Sequence, residues 1–406
     1  MAATATFEYQ VRDRTGKLVK GKIDAESPAI VANKLTSMGY APVSIEATGT
    51  GLNKELHIPG MGEKVKLKDL AVMCRQFATM INSGLTLLRA LVILEEQTES
   101  KALAKVISEV RSDVEVGSSL SSALVKHDEF PPLMVNMIKA GELGGFLDST
   151  LLQIATNFEA EVKLRQKVKS AMTYPVVVLV MAILALVAML LFIVPVFEGL
   201  FTSLGGELPL PTRVLVAMSS LLKILSPFIL VFGIVGMFLW RKYKNTPKVR
   251  DVVDPAKLKM PVFGPLFQKI ALSRFSRNLG SMVSAGVPIL QALDIVGETS
   301  GNVVIARAVA DVKESVRTGE PLARPLLDHP VFPPMVVQMM AVGEDTGSLD
   351  TMLAKISEFY DQEVEATTEA LTSLIEPIMI AVVGGMIGAM LIALYMPIFK
   401  VFDLVK

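Results

Sequence analysis

The sequence predicts a mainly α, polytopic membrane protein: two homologous six-helix cytosolic bundles, three transmembrane helices and a small N-terminal α+β module. Three observations carry that reading. A block of the chain is written twice at an offset of 202 residues, matching Arg75 with Arg277, Gly84 with Gly286, Gly117 with Gly319, His127 with His329, and Phe130-Pro131-Pro132 with Phe332-Pro333-Pro334. The runs Pro175 to Phe197 and Pro377 to Phe399 contain no charged residue over 23 positions. At about 1.5 Å per residue each run gives roughly 34 Å of helix, enough for a bilayer core. Finally, 51% hydrophobic residues and a mean hydropathy of +0.49 over 406 residues are high for a water-soluble chain.

The first 50 residues start without the charged-then-apolar pattern of a signal peptide, so a cytosolic segment is expected there. Between Phe7 and Ala47 the alternation FEYQVRD, the turn TGK, the strand LVKGKIDA, the helical SPAIVANKLTSMG and the final APVSIEA give hairpin, helix, strand. Residues 51–66, with Gly51, Pro59, Gly60 and Gly62, read as a linker. Copy one spans 67–170. Its helices are interrupted at Gly84 and Gly117, a short helix runs Leu120 to Lys126, another opens at Phe130-Pro131-Pro132 and is expected to stop at Gly141, and the last runs toward the membrane.

The first span is placed at 171–199, a trans-side loop and interfacial segment at 200–222, and the second span at 223–240, between a snorkelling Lys223 and Trp240. A cytosolic connector at 241–268, copy two at 269–372, the third span at 373–400 and a short tail at 401–406 complete the chain. Orientation follows from basic residues. Lys163, Arg165, Lys167 and Lys169 precede the first span, Arg241, Lys242, Lys244, Lys248 and Arg250 follow the second, and Glu198 to Thr212 has no Lys or Arg. Both copies and the N-terminus are therefore expected in the cytosol, with the C-terminus on the trans side.

Chemistry is sparse. Lys+Arg and Asp+Glu balance at 40 each, so no basic field points to nucleic acid. The chain has no phosphate-cradling loop, His-Glu-x-x-His, cysteine cluster or nucleophile elbow. Neither enzymatic activity nor a cofactor is expected. Cys74, the single cysteine, reads as a small buried apolar residue, and His127 and His329 as occupants of one niche in each copy.

The glycines Gly84, Gly117, Gly145, Gly286, Gly319 and Gly347 mark helix ends, and Pro131-Pro132 and Pro333-Pro334 mark helix starts. The sharpest polar signature is Gly-Glu-x-x-Gly-x-Leu-Asp, at Gly141 to Asp148 and again at Gly343 to Asp350. Its carboxylates are expected to meet free backbone N–H groups near the start of the following helix. Two other readings remain: partner docking through Glu142, Asp148, Glu344 and Asp350, and a divalent cation near Glu142. In the third span Gly384 and Gly388 form a Gly-x-x-x-Gly suited to close helix packing. Glu376, where copy one has Tyr174, reads as a solvated carboxylate at the membrane edge.

The duplicated helical domain, its Gly-Glu-x-x-Gly-x-Leu-Asp turns and Phe-Pro-Pro starts, and Leu-Pro-Leu-Pro-Thr at 208–212 resemble one family along essentially the whole chain. It is the inner-membrane platform protein of type IV pilus and type II secretion machines, known as pilus assembly protein C or general secretion pathway protein F. The resemblance implies a non-enzymatic, multi-pass scaffold of the bacterial cytoplasmic membrane. Its partners would be a hexameric assembly or retraction ATPase, pilin or pseudopilin subunits, other inner-membrane machine components and further copies of itself. The rival reading is an oligomeric membrane transporter or channel component, which predicts ionisable groups deep in the spans; the first and third have none.

Overall fold

The computed structural model describes residues 5–12, 18–25, 28–37, 40–47, 64–203, 209–244 and 246–404. The linker up to residue 63 (with His57), residues 204–208 of the expected trans-side loop, and residues 405–406 of the tail lie outside the described residues. The chain divides into two compact units, Met1–Glu63 and Lys64–Lys406.

In the first unit β1 (Ala5–Arg12), β2 (Leu18–Ala25), α1 (Pro28–Ser37) and β3 (Ala41–Ala47) follow in that order. The sheet order is β2-β1-β3 with both pairings antiparallel. Pro42 has no N–H to give to the ladder, and the register of β1 against β3 slips beside it, between Gln10 and Val11. Val31 and Leu35 of α1 bury the small core with Val11 and Ala25.

Copy one of the second unit consists of α2 (Leu67–Asn82), α3 (Leu87–Gln97), α4 (Lys101–Glu115), α5 (Leu120–Leu124), α6 (Pro132–Gly144) and α7 (Leu147–Ala188). A π-helical turn at Met189–Ile193 leads to α8 (Val194–Ser203), followed by α9 (Leu210–Tyr243) and α10 (Pro247–Lys259). Copy two repeats the six helices as α11 (Gly264–Ser284), α12 (Ile289–Thr299), α13 (Val303–Arg317), α14 (Ala323–Leu326), α15 (Pro334–Asp345) and α16 (Leu349–Leu404). Local chemistry sets the starts. Thr86, Ser100 and Ser119 accept hydrogen bonds from the N–H groups of Arg89, Leu103 and Ser122, while Pro131 and Pro333 stand as N-caps of α6 and α15.

The ends are set by glycine. Gly84, Gly117, Gly286 and Gly319 have φ of 84°, 97°, 69° and 92°, and Gly145 and Gly347 have 74° and 68°, a region costly for any residue with a Cβ. The expected stop at Gly141 is corrected: α6 runs on to Gly144, because the left-handed residue is Gly145. Gly141 is instead the place where α6 touches α7. A Cβ there would lie 2.6 Å from Thr150 Oγ1 and 3.3 Å from Leu147 Cα. Its counterpart Gly343 repeats the approach, with Leu349 Cα 2.9 Å from the Cβ position.

The two bundles share one continuous core, including Phe77, Leu94 and Phe158 from copy one and Phe275, Val296 and Met340 from copy two. They meet where α7 packs on α11 and α16 and where α6 packs on α11 and α12. Leu164, Leu266, Val364 and Leu371 form a second apolar cluster that ties α7, α11 and α16 together beside the apolar runs.

Among the described residues three helical segments are long and apolar enough to cross a membrane, within Leu147–Gly199, Leu210–Ile229 and Leu349–Ala393. The second is more extensive than the sequence implied, since α9 takes in residues 210–222. Pro209 caps it and Pro211 lies in its first turn, where the fixed φ of proline suits a helix start. Two buried hydroxyls tie this stretch down: Thr212 Oγ1 donates to Ala393 O at 2.6 Å and Ser219 Oγ to Leu190 O in the π turn at 2.5 Å. Such side-chain bonds satisfy main-chain carbonyls where water is excluded.

Candidate functional site

The duplicated Gly-Glu-x-x-Gly-x-Leu-Asp turns occupy equivalent places. In copy one Glu142 Oε1 accepts the N–H of Leu120 at 2.5 Å, and Oε2 accepts the N–H of Ser121 at 2.9 Å and its hydroxyl at 2.5 Å. In copy two Glu344 accepts from the N–H groups of Leu322 at 2.7 Å and Ala323 at 3.2 Å. Both glutamates are half-buried, and each spends both oxygens on the start of a short helix. The helix concerned is the preceding one, α5 or α14, and not the following one as the spacing suggested. The Gly141 contact explains this: α6 lies close against α7, and its other flank turns Glu142 toward α5. Asp148 and Asp350 do sit in the first turns of α7 and α16, where a negative charge is favourable. Asp148 is exposed and Asp350 half-buried.

Charge pairs missed by the sequence reading repeat with the same offset. Arg75 binds Glu159 through Nε at 2.7 Å and Nη2 at 2.6 Å, joining α2 to α7, and Arg277 pairs with Asp361 to join α11 to α16. His127 lies 3.8 Å from Glu109, and His329 lies 3.5 Å from Asp311. The spacing of the acids by 202 residues was the available signal. Cys74 is fully buried against Met134 Sδ at 3.9 Å, and burial pushes its thiol up to about 12. Among the described residues no group of three or more His, Cys, Asp or Glu side chains is placed to hold a metal ion.

The copies are joined by polar as well as apolar contacts. Asn157 Nδ2 donates to Ser281 Oγ at 3.1 Å, Gln291 Nε2 to Asn136 Oδ1 at 2.8 Å, and Lys167 pairs with Glu365. In the third span, apart from the neighbouring backbone of α16 itself, no described atom lies within 4 Å of a Cβ built at Gly384 or Gly388. That face is open to a further helix. Tyr174 and Glu376, both exposed, line a cavity of about 310 Å³ with Gly384 between α7 and α16.

Fold and contacts together define a duplicated helical scaffold whose two bundles each continue into a membrane helix. The family description "Type II secretion system (T2SS), protein F" matches residues 73–195 and 275–397, and its N-terminal domain matches residues 1–46. The chain belongs to this family. It is 45% identical over 396 residues to "Type IV pilus assembly protein PilC" of Thermus thermophilus, covering 97% of this chain and 98% of that one. The protein of the same name from Myxococcus xanthus is 42% identical over 403 residues, with 98% and 95% covered. "Type II secretion system protein F" of Vibrio cholerae is 30% identical over 405 residues, with 99% and 100% covered. Three membrane-spanning helices and this kinship make the chain an inner-membrane protein of pilus or secretion machinery.

Proposed function

We propose that this chain is the platform that couples a cytosolic secretion ATPase to the insertion or extraction of pilin or pseudopilin subunits at the inner membrane. The observation that carries the reading is continuity. The last helix of each bundle runs into the bilayer segment without a loop: α7 for 42 residues and on through the π turn, α16 for 56. A displacement or torque applied to the bundles is thereby delivered to the spans, with no chemistry in this chain. An apolar subunit helix leaving the bilayer forfeits roughly 0.8 kcal/mol per buried CH₂, which requires an external energy source. The basic flanks Lys163 to Lys169 and Arg241 to Arg250 support bundles and N-terminus in the cytosol and the C-terminus on the trans side.

Because the oxygens of Glu142 and Glu344 are committed to backbone, docking of the motor falls to Asp148 and Asp350 within the signature. The open Gly384 and Gly388 face supports self-association into a homo-oligomer. The test is capture of partners by the detergent-solubilised chain from its own host, identified by mass spectrometry. Recovery of a hexameric secretion ATPase together with a pilin-like protein is the expected result, and the identity of the pair separates pilus from secretion. Recovery of neither, with solute-dependent thermal stabilisation instead, would overturn the platform reading in favour of a transporter.

A further inference from the structure

We propose that one anionic phospholipid of the surrounding bilayer binds between α7 and α11, its headgroup on Lys169 and Arg274 and an acyl chain along Met172, Val176 and Val177. The site is a cavity of about 480 Å³ at the point where α7 passes from its basic stretch into its apolar run. Its lining is overwhelmingly apolar, and the polar atoms are supplied by the basic side chains Arg165, Lys169 and Arg274 with Thr173.

The cations outnumber their counter-charges. Arg165 Nε hydrogen-bonds Glu161 Oε1 at 3.0 Å, and the same oxygen is 3.4 Å from Arg274 Nε, so one carboxylate serves two guanidiniums. Arg274 Nε is buried without a hydrogen bond, and Lys169 is exposed with no ion pair among the described residues. Burial lowers the guanidinium pKa of Arg274, Glu161 opposes that, and the charges of Arg165 and Arg277 add to it. Arg274 thus shares its one carboxylate with Arg165, which leaves the pair of guanidiniums with less counter-charge than their partial burial calls for.

The repeat supplies an internal comparison. Structural pairs recur in both copies, as Arg75–Glu159 and Arg277–Asp361 do. At the same offset, however, Arg165, Lys167 and Lys169 become Thr367, Glu369 and Leu371, and Arg274 answers to Val72. The cationic lip therefore exists once, and bundle architecture does not require it. An anion with an apolar tail satisfies both halves of the site, and basic pockets beside membrane helices suit anionic headgroups. The inference rests on the membrane spans and is independent of motor coupling, so failure of the partner capture leaves it standing.

The full chain in a neutral detergent is titrated with phosphatidylglycerol, phosphatidylcholine or inorganic phosphate, and bound lipid is counted by native mass spectrometry alongside the thermal midpoint. Phosphatidylglycerol is expected to be retained at one per chain and to raise the midpoint, while the other two do neither. Lys169→Gln and Arg274→Gln should each weaken phosphatidylglycerol about fivefold, the order of magnitude for one basic contact with an anionic headgroup. Lys244→Gln, at another membrane edge, should leave it within about twofold. Lys169 is exposed and has no ion pair among the described residues, so its variant remains informative if Arg274→Gln fails to fold. Equal responses to the two lipids, unchanged binding by Lys169→Gln, or a midpoint shift from phosphate alone would overturn the proposal.

Discussion

Glu142 closes over the backbone N–H of Leu120, 22 residues earlier in the chain, at 2.5 Å. Glu344 does the same for Leu322 at 2.7 Å, so a carboxylate clamp on a short helix is part of the duplicated unit. A five-residue helix has little stability of its own, and hydrogen bonds to a charged acceptor contribute about 1.5–3 kcal/mol. Glu142→Ala should therefore lower unfolding stability by about 2 kcal/mol and speed amide exchange at Leu120 and Ser121. Glu142→Gln, which keeps one acceptor, should fall between. Unchanged exchange at those two amides in Glu142→Ala would remove the clamp from the account.

The two α2–α7-type ion pairs allow burial to be varied with chemistry held nearly fixed. Arg75 and Glu159 keep 37% and 45% of their side chains exposed, whereas Arg277 and Asp361 keep 9% and 33%. Exposed pairs contribute about 0–1 kcal/mol, and the cost of truncating one member rises toward about 3 kcal/mol only as the partner left behind becomes fully desolvated. Arg277 also reaches the buried Ser273 hydroxyl at 3.3 Å. Arg277→Met should thus be the more damaging by about 1 kcal/mol in denaturant melts of the solubilised chain. Equal losses for Arg75→Met and Arg277→Met would show that burial does not decide between them.

The parts of this fold legible in the sequence were those fixed by nearest-neighbour chemistry. Gly84, Gly117 and their counterparts end helices because their φ is positive, and Pro132 and Pro334 open helices because theirs is preset. What escaped the reading depends on partners far along the chain. Gly141 looked like a helix end because glycine usually marks one, yet its reason is Thr150 on the next helix. The clamp of Glu142 on α5 reaches back across a whole loop and helix, which a forward-looking capping rule misses. Residues 210–222 fall in the expected trans-side loop and interfacial segment, because the absence of Lys and Arg from Glu198 to Thr212 says which side of the membrane a stretch faces and not whether it is helical. As part of α9 they are tied to distant partners, Ala393 and Leu190, whose carbonyls accept the hydroxyls of Thr212 and Ser219.

The close approach at Gly141 is open to a graded test. In Gly141→Ala the new methyl group would stand 2.6 Å from Thr150 Oγ1, a side-chain atom, so pairing it with Thr150→Ala relieves part of the overlap. In Gly343→Ala the nearest atom is Leu349 Cα, which is backbone and has no such remedy. Overpacking of this kind costs about 1–3 kcal/mol. Both single variants should melt earlier, and the second substitution should recover stability only in copy one. No loss in Gly343→Ala would mean that α15 and α16 part freely.

Cys74 provides the pH-dependent case. Burial raises its thiol from an ordinary 9.0 to about 12, so the folded protein holds the thiol proton more tightly than the unfolded chain does. The sign follows by linkage: this stabilisation is fully present below pH 9 and is lost as the pH rises toward 12, where the unfolded chain gains from ionising. Thiolate is also the form that reacts with a maleimide or a disulfide reagent. At pH 8 the folded thiol should react about 10³-fold more slowly than the same cysteine in denaturant, from ionisation alone. The equivalent position in copy two is Ser276, also fully buried, so a small side chain suffices there. Cys74→Ala should accordingly keep the fold and flatten the alkaline limb of the stability profile relative to the native chain. Rapid labelling of the native protein at pH 8, or an alkaline limb identical in Cys74→Ala, would show that this thiol is not sealed in the core of copy one.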